Sequence, residues 1–283
     1  MRAEMTDRDN RAVTGTRPRL VATDLDGTIV PKSGEISDRT VLGLRRVEAA
    51  GVPVVFVTGR PTRWMHAIAE RTGHTGLAVC SNGAVVYDLH NEQVVEQFPI
   101  PVDVGLDVAR RLRAALPDVT FAVELVGGFS HEPAYLSREP GRALRVAGVQ
   151  DIYDGPAVKL LARHEVLDAD QLLAAARDVL GDVVEPTHSS TAGLLEISAA
   201  GVSKATTLAH LCEERGIDAR DVLAFGDMPN DLPLLAWAGT AYAVANAHPE
   251  VLDAVALHCP SVDDDGVAQV LETRFGTAPA GGC

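Results

Sequence analysis

The alternation of short apolar runs with amphipathic helical patterns is the feature of this chain that most restricts its fold. In the first hundred residues, apolar runs at 20–23, 52–57 and 77–80 are separated by helical patterns at about 37–50 and 61–71. Apolar runs of this length, bounded by helices, are typical of strands that are buried on both faces of a parallel sheet. The pattern predicts an α/β fold with a mainly parallel sheet.

A composition break at Pro99-Ile100-Pro101 interrupts this alternation. The following residues carry two helical patterns and strand-like stretches, but no strand that ends in an acid. We therefore expect an inserted α/β module, after which the first pattern returns. The predicted divisions are an N-terminal tail at 1–17, core at 18–98, the inserted module at 99–190, core again at 191–275 and a C-terminal tail at 276–283.

The other predicted elements follow from periodicity and helix boundary signals. They are a hairpin at 84–87 and 93–98, helices at 104–116, 168–180, 203–215, 249–256 and 266–274, and strands at 119–126, 158–162, 194–197, 221–225 and 241–244.

Composition excludes several classes of protein. The chain of 283 residues has 39 acids against 25 lysines and arginines, a formal charge of −14. This balance argues against a nucleic-acid partner, because phosphate backbones are bound by basic surfaces. No apolar run approaches the ~20 residues that cross a bilayer, and Met1–Arg19 lacks the apolar centre of a secretory signal. The four dispersed cysteines favour a reducing compartment, so we expect a cytoplasmic protein. We also expect a monomer or dimer without a membrane partner.

Two acids directly follow the first apolar run, in Asp24-Leu-Asp26-Gly27-Thr28. An ionised carboxylate at the end of a buried strand needs a cation or a hydrogen-bonding partner. Two acids above a glycine turn suit Mg²⁺ together with a phosphate group. A surface turn is the alternative, whereas a calcium loop of the EF-hand type needs a different glycine position.

Further polar residues follow other strands or begin a helix. Thr58 and Gly59 come after the second strand, Asp227 and Asp231 come after the strand at 221–225, and Lys204 begins a helix. Ligands in open α/β sheets collect at the carboxyl ends of the strands, so these groups can meet in one site.

Each group has an available chemical role. Asp24 can attack phosphorus, and Asp26 can protonate the leaving alcohol and later activate water. Thr58 and the Gly59 amide can bind a phosphoryl oxygen, while Lys204 can neutralise its charge. Asp227 and Asp231 can hold Mg²⁺. Taken alone, a lysine at the start of a helix is more often solvated than part of a site. Arg60 is expected to have a structural role and not a catalytic one.

Together these motifs resemble the haloacid dehalogenase (HAD) superfamily, and specifically its Cof-type (HAD-IIB) phosphatases. The matching motifs are Asp24-Leu-Asp-Gly-Thr28, Val57-Thr-Gly-Arg60, Ser81-Asn-Gly-Ala84, Glu196-Ile197 with Gly201-Val-Ser-Lys204, and Gly226-Asp227-x-x-Asn230-Asp231. The resemblance covers about residues 19–274. It implies a doubly wound, mainly parallel, Rossmann-like core with a C2-type α/β cap, bound Mg²⁺ and an aspartyl-phosphate intermediate.

The resemblance also implies roles for individual residues. The catalytic residues are Asp24 and Asp26. The phosphate-binding residues are Thr58, Gly59, Lys204 and Asn230. The metal-binding residues are Asp24, Asp26 through its backbone carbonyl, Asp227 and Asp231.

The expected function is therefore hydrolysis of a small phosphorylated metabolite by a Mg²⁺-dependent phosphatase. Sugar phosphates are the first expectation, followed by phosphorylated cofactors such as flavin mononucleotide (FMN) or pyridoxal phosphate (PLP). A phosphotransferase or phosphomutase of the same fold stays open, as does an inactive phosphometabolite-binding regulator. Substrate choice is expected to depend on the inserted module. Its polar candidates, each expected to be solvated, are Glu124, Arg138, Arg145, Lys159 and His188.

Overall fold

The computed structural model describes residues 17–190 and 192–276, which form two sheets with their helices. The strands are β1 (Leu20–Thr23), β2 (Val54–Val57), β3 (Leu77–Cys80), β4 (Val85–Asp88), β5 (Gln93–Gln97), β6 (Thr120–Leu125), β7 (Gly128–His131), β8 (Lys159–Arg163), β9 (Val184–Thr187), β10 (Leu194–Ala199), β11 (Val222–Gly226), β12 (Thr240–Val244) and β13 (Leu257–Cys259). The two predicted tails fall outside the described residues, apart from Arg17 and Gly276.

The helices fall in both halves of the chain. They are α1 (Asp38–Ala49), α2 (Met65–Thr72), α3 (Val102–Ala115), α4 (Val149–Ile152), α5 (Ala169–Leu180), α6 (Lys204–Glu214), α7 (Leu232–Trp237), α8 (Pro249–Ala254) and α9 (Gly266–Phe275). None of the helices in the described residues is both long enough and apolar enough to cross a membrane.

The larger sheet has eight strands in the order β13-β12-β11-β1-β2-β3-β4-β5. The first six strands in this order, from β13 to β3, are parallel. The β4–β5 hairpin adds two antiparallel strands at one edge. β1 lies at the centre, with Val21 in register with Val54 on one side and Leu223 on the other. The predicted doubly wound, mainly parallel α/β fold is confirmed. We call this sheet with α1, α2 and α6–α9 the eight-stranded unit.

Helix α1 shows how local sequence builds this unit. Ser37 caps its first turn, because the Ser37 side chain accepts a hydrogen bond from the Thr40 amide. Val41, Leu44 and Val47 follow at helical spacing and are buried. The helix packs against α2 and α9, while α6 packs against α7.

The smaller sheet is antiparallel, in the order β7-β6-β8-β10-β9. Alternate residues of its strands point to opposite faces. One face, including Phe121, Leu160 and Ile197, shares a hydrophobic core with α3 and α5. The opposite face carries Glu124 and Lys159, which are register partners. We call this sheet with α3–α5 the five-stranded unit.

The placement of β10 corrects one prediction. The strand was expected in the second core segment, at 191–275, but it pairs with β8 and β9 in the five-stranded unit. Periodicity identifies a half-buried strand without identifying the sheet that it joins. The chain therefore returns to the eight-stranded unit only after Gly201. Short elements without a clear period, such as β7, β9, β13 and α7, were not predicted at all.

Candidate active site

The loop after β1 brings Asp24 to the carboxyl edge of the larger sheet. The Asp24 amide still donates to Phe225 O of β11 at 3.0 Å, so the ladder continues to this residue. Gly27 then turns the chain back with φ of +85°, and a Cβ there would lie 2.2 Å from Asp227 Oδ2. Only glycine fits such a left-handed position with so close a neighbour. Thr28 Oγ1 donates to Asp227 Oδ1 at 3.0 Å.

Lys204 joins two of the predicted acids. Its Nζ lies 2.7 Å from Asp24 Oδ1 and 2.6 Å from Asp231 Oδ1, and the side chain is buried. Its helix approaches because Gly83 has no side chain: a Cβ there would lie 2.3 Å from Ser203 O. Most lysines at the start of a helix are solvated, but this one is buried against two acids of the motifs that predicted its place in the site.

Three buried acids lie close together, and two of them contact the lysine. Oxygen atoms of Asp24, Asp227 and Asp231 all lie within 4.8 Å of one another, and we call them the three-acid group. Asp231 is fixed further, because its Oδ2 accepts from the amides of Asp227 and Met228 at 3.0 and 3.1 Å.

Burial makes this group costly to ionise without a further cation. It raises the pKa of Asp24 to about 7, against the opposing charge of Lys204. It also raises the pKa of Asp227 to about 9, and the neighbouring Asp24 and Asp231 charges add to this rise. The pKa of Lys204 is raised because the charges of Asp231 and Asp24 outweigh its burial. Crowded hard oxygen ligands with one lysine are a suitable set for a divalent cation.

The strand next to β1 leads into the loop that carries Thr58 and Gly59, the predicted phosphate-binding residues. Thr58 lies directly after β2 and is buried. Its Oγ1 accepts from the Arg60 amide at 3.0 Å, which leaves the hydroxyl proton available as a donor. Thr58, Gly59 and Asp24 are therefore brought to one edge, as predicted.

Asp26 lies apart from the three-acid group. Its side chain is 58% exposed and forms a two-point contact with Arg60 at 2.6 and 2.7 Å. The hydrogen bonds to Asp26 and its charge raise the pKa of Arg60, and they outweigh the opposing effect of burial. A metal contact from Asp26 through its backbone carbonyl stays a prediction.

Asn82 and Glu196 belong to the matching motifs and contact each other beside the site, but neither was predicted as a site residue. Asn82, in the left-handed conformation with φ of 57°, donates to Glu196 Oε2 at 3.1 Å. Its Oδ1 accepts from Asn230 Nδ2 at 3.1 Å. Asn230 Oδ1 is buried and has no protein partner among the described residues. Their occurrence within the motifs was the only signal in the sequence. No spacing rule predicts a contact between positions as distant along the chain as Asn82 and Glu196.

A cleft extends from these residues into the five-stranded unit. Gly59, Trp64, Arg138 and Glu196 border both the pocket at Asp24 and a second pocket. The second pocket is also lined by Arg63, Glu124, Phe129, Tyr135, Glu139 and Lys159.

Glu124, Arg138 and Lys159 thus lie beside the site, and Glu124 and Lys159 are buried, contrary to the expectation of solvated side chains. Arg63 pairs with both Glu124 and Glu139. Burial raises the pKa of Glu124 against the opposing arginine.

The other two candidates from this unit lie elsewhere. His188 is buried and bonds Asp170 at 2.9 Å, so the expectation of a solvated side chain is wrong for it too. Arg145 contacts Asp151 O and Asp154. Neither lines the two pockets.

Comparison with known proteins identifies the family. The sequence profile of the haloacid dehalogenase-like hydrolases matches residues 21–271. The chain belongs to this family. The predicted family and the prediction of an enzyme are confirmed.

Relatives with known names agree with this assignment. The phosphoglycolate phosphatase of Methanothermobacter thermautotrophicus is 29% identical, covering 91% of this chain and 99% of the relative. The pyridoxal phosphate phosphatase YbhA of Escherichia coli is 26% identical, covering 91% and 98%. The solved structure of the HAD phosphatase BT1666 from Bacteroides thetaiotaomicron shares the fold, with a TM-score of 0.78 at 21% identity and coverage of 93% and 98%. Relatives of this HAD hydrolase are thus phosphatases of small phosphate compounds.

Proposed function

We propose that this HAD hydrolase is a Mg²⁺-dependent phosphatase that cleaves small phosphate monoesters through an aspartyl-phosphate on Asp24. The observation that carries the proposal is the buried contact of Lys204 with both Asp24 and Asp231. A nucleophilic carboxylate, a fixed cation and a loop with Thr58 and Gly59 converge at one edge, which is what phosphoryl transfer requires.

The three-acid group fits Mg²⁺. Its acids are hard oxygen donors, all buried, and the raised pKa values of Asp24 and Asp227 indicate a deficit of positive charge. Asp24, Asp227 and Asp231 would hold the ion, with the Asp26 carbonyl as the predicted fourth protein ligand. A bound ion would supply the positive charge that lets a carboxylate approach an anionic ester.

In the first step, an oxygen of Asp24 attacks phosphorus and the bond from phosphorus to the ester oxygen breaks. The leaving oxygen takes a proton from Asp26. In the second step, Asp26 removes a proton from water, the water oxygen attacks phosphorus, and the bond to Asp24 breaks to release inorganic phosphate. Lys204 holds Asp24 in place, and the Thr58 hydroxyl donates to a phosphoryl oxygen.

Arg60 has a place in this sequence of steps. Asp26 must carry a proton before the first step, so its two-point contact with Arg60 has to open when substrate enters. The exposed position of Asp26 allows proton exchange with solvent.

The five-stranded unit serves as the cap in this proposal, and its cleft receives the leaving group. The cleft combines charged pairs with the aromatic side chains of Trp64, Phe129 and Tyr135. Such a lining suits a sugar or a heterocyclic ring, which supports sugar phosphates and phosphorylated cofactors such as PLP or FMN as substrates. The named activities of relatives on phosphoglycolate and pyridoxal phosphate give further support.

The test is phosphate release from a panel of sugar phosphates, phosphoglycolate, PLP and FMN, with Mg²⁺ and with EDTA. Wild type should release phosphate only with Mg²⁺, and Asp24→Asn should not. Release without an acceptor argues against a strict phosphotransferase. No turnover of any ester by wild type, with or without an acceptor sugar, would refute the proposal and favour a phosphometabolite-binding regulator.

A further inference from the structure

Lys159 and Glu196 form a buried ion pair on the site-facing surface of the five-stranded unit. Lys159 Nζ lies 2.8 Å from Glu196 Oε1, and the two residues are 3% and 7% exposed. The same Nζ lies 2.7 Å from Gly59 O of the phosphate-binding loop. One ammonium group therefore connects the two units beside the phosphate site.

The contacts continue from this pair to the pocket that contains Asp24. Glu196 Oε2 accepts from Asn82, and Asn82 Oδ1 accepts from Asn230, each at 3.1 Å. We call Lys159, Glu196, Asn82 and Asn230 the junction network. Its last member lines the same pocket as Asp24, and Asn230 Oδ1 has no protein partner among the described residues.

Stability alone does not explain a buried pair at this position. Removing two charges from water is costly, and apolar residues of similar volume are often at least as stabilising. Glu196 is nevertheless kept ionised: burial would raise its pKa, but Lys159 and the hydrogen bonds lower it overall. We therefore look for the role of this pair in the geometry of the neighbouring loop, and not in the stability of the fold.

The geometry acts through a single peptide plane. The carbonyl that Lys159 binds and the amide of Arg60 belong to the same rigid peptide unit. That amide donates to Thr58 Oγ1 at 3.0 Å. Fixing the Gly59 carbonyl therefore fixes the donor to Thr58, and the Thr58 hydroxyl proton is left to point elsewhere.

We propose that Lys159 is a positioning residue for the phosphoryl group, acting through the Gly59–Arg60 peptide on Thr58 and through the junction network on Asn230. Docking of the five-stranded unit then completes the phosphate site, so that phosphate is bound productively only in the docked arrangement. This inference rests on the proposed function, because it assigns the loop to phosphoryl oxygens.

The test measures binding of orthovanadate to the Mg²⁺-loaded protein by calorimetry, together with kcat and KM on p-nitrophenyl phosphate. Vanadate takes the five-coordinate geometry of the transition state, so its affinity reports the shape of the phosphate site without requiring turnover. Lys159→Met keeps the aliphatic stem and removes the ammonium. We expect about 10- to 100-fold weaker vanadate binding with a similar fall in kcat and a smaller change in KM.

Two further variants separate positioning from charge balance and from docking. The double variant Lys159→Met/Glu196→Gln removes the unpaired charge, so it should recover melting temperature but not vanadate affinity. Asp170→Asn weakens another contact between the units, because Asp170 of α5 lies 3.7 Å from His248, which precedes α8 in the eight-stranded unit. It does not touch Gly59 and should keep vanadate affinity.

Each alternative outcome overturns the proposal. Unchanged vanadate affinity in Lys159→Met would show that Lys159 does not position the phosphoryl group. Recovery of affinity in the double variant would show that Lys159 only neutralises the charge of Glu196. An equal loss in Asp170→Asn would mean that docking alone matters. Wild type that binds vanadate but hydrolyses no ester would refute the phosphatase, while the comparison of variants would still decide the role of Lys159.

Discussion

Replacing Asp24, the proposed nucleophile, with asparagine should make the metal-free protein more stable at alkaline pH. Asp24 is buried among like charges, and its pKa rises from 3.8 to about 7. Each pKa unit corresponds to about 1.4 kcal/mol, so the ionised carboxylate costs up to about 4 kcal/mol. Asp24→Asn removes that charge but also one partner of Lys204, which retains Asp231. We therefore expect a net gain of about 1–2 kcal/mol in the free energy of unfolding, or about 2–8 °C in melting temperature.

The gain must depend on pH in one direction. Below the unfolded pKa of 3.8, the carboxyl is protonated in both states and the substitution has no charge effect. Between there and about pH 7 the unfolded chain ionises first, so wild type loses stability as pH rises. The advantage of Asp24→Asn should thus be complete at pH 8 and small at pH 4.5.

The assay is thermal unfolding in EDTA at several pH values, repeated with Mg²⁺. Asp26→Asn is the matched control, because it makes the same change two residues away on an exposed side chain outside the three-acid group. Its stability should not rise. A lower melting temperature of Asp24→Asn than wild type in EDTA at pH 8, or an equal gain at pH 4.5, would refute the argument.

Three other predictions concern the same site. Stabilisation by Mg²⁺ should grow between pH 6 and pH 8 in melting experiments, since the ion displaces protons from the three-acid group; a constant shift would contradict this. Gly83→Ala should lower kcat at least about tenfold and reduce the melting temperature, because its Cβ would lie 2.3 Å from a backbone oxygen at the start of α6. Gly127→Ala, with nothing within 4 Å, should change neither. Asp26→Asn should slow hydrolysis of an alkyl phosphate about 10²- to 10⁴-fold but that of p-nitrophenyl phosphate much less, and equal losses would exclude a general acid.

The sequence was most informative where chemistry follows directly from a strand. An apolar run predicts a buried strand, and an acid at its end must find a cation or a partner. Asp24 and Asp227 were located by that reasoning, and Thr58 by its position after the neighbouring strand. All three follow strands of the parallel sheet and lie at its carboxyl edge. The parallel sheet followed from the alternation of strands and helices in the same way.

The parts that were missed depend on contacts between distant segments. The sheet that β10 joins is decided by pairing with β8 and β9, which its own periodicity does not encode. The burial of Lys159 and Glu196 results from each satisfying the other, so either residue alone resembles a surface charge. A side chain of this kind is recognised only after its partner has been placed.

The central position of β1 also affects how the chain is made. Leu20 pairs with Val222, so β1, which leads to Asp24, keeps one edge unpaired until about 200 further residues have been synthesised. At about 5–20 residues per second, this takes roughly 10–40 seconds. The whole antiparallel sheet, from β6 to β10, emerges within that interval and has its own hydrophobic core. The sheet edge that carries Asp24 is therefore completed late during translation. Truncated products that end before β11 should be inactive and should expose a parallel strand edge that favours aggregation.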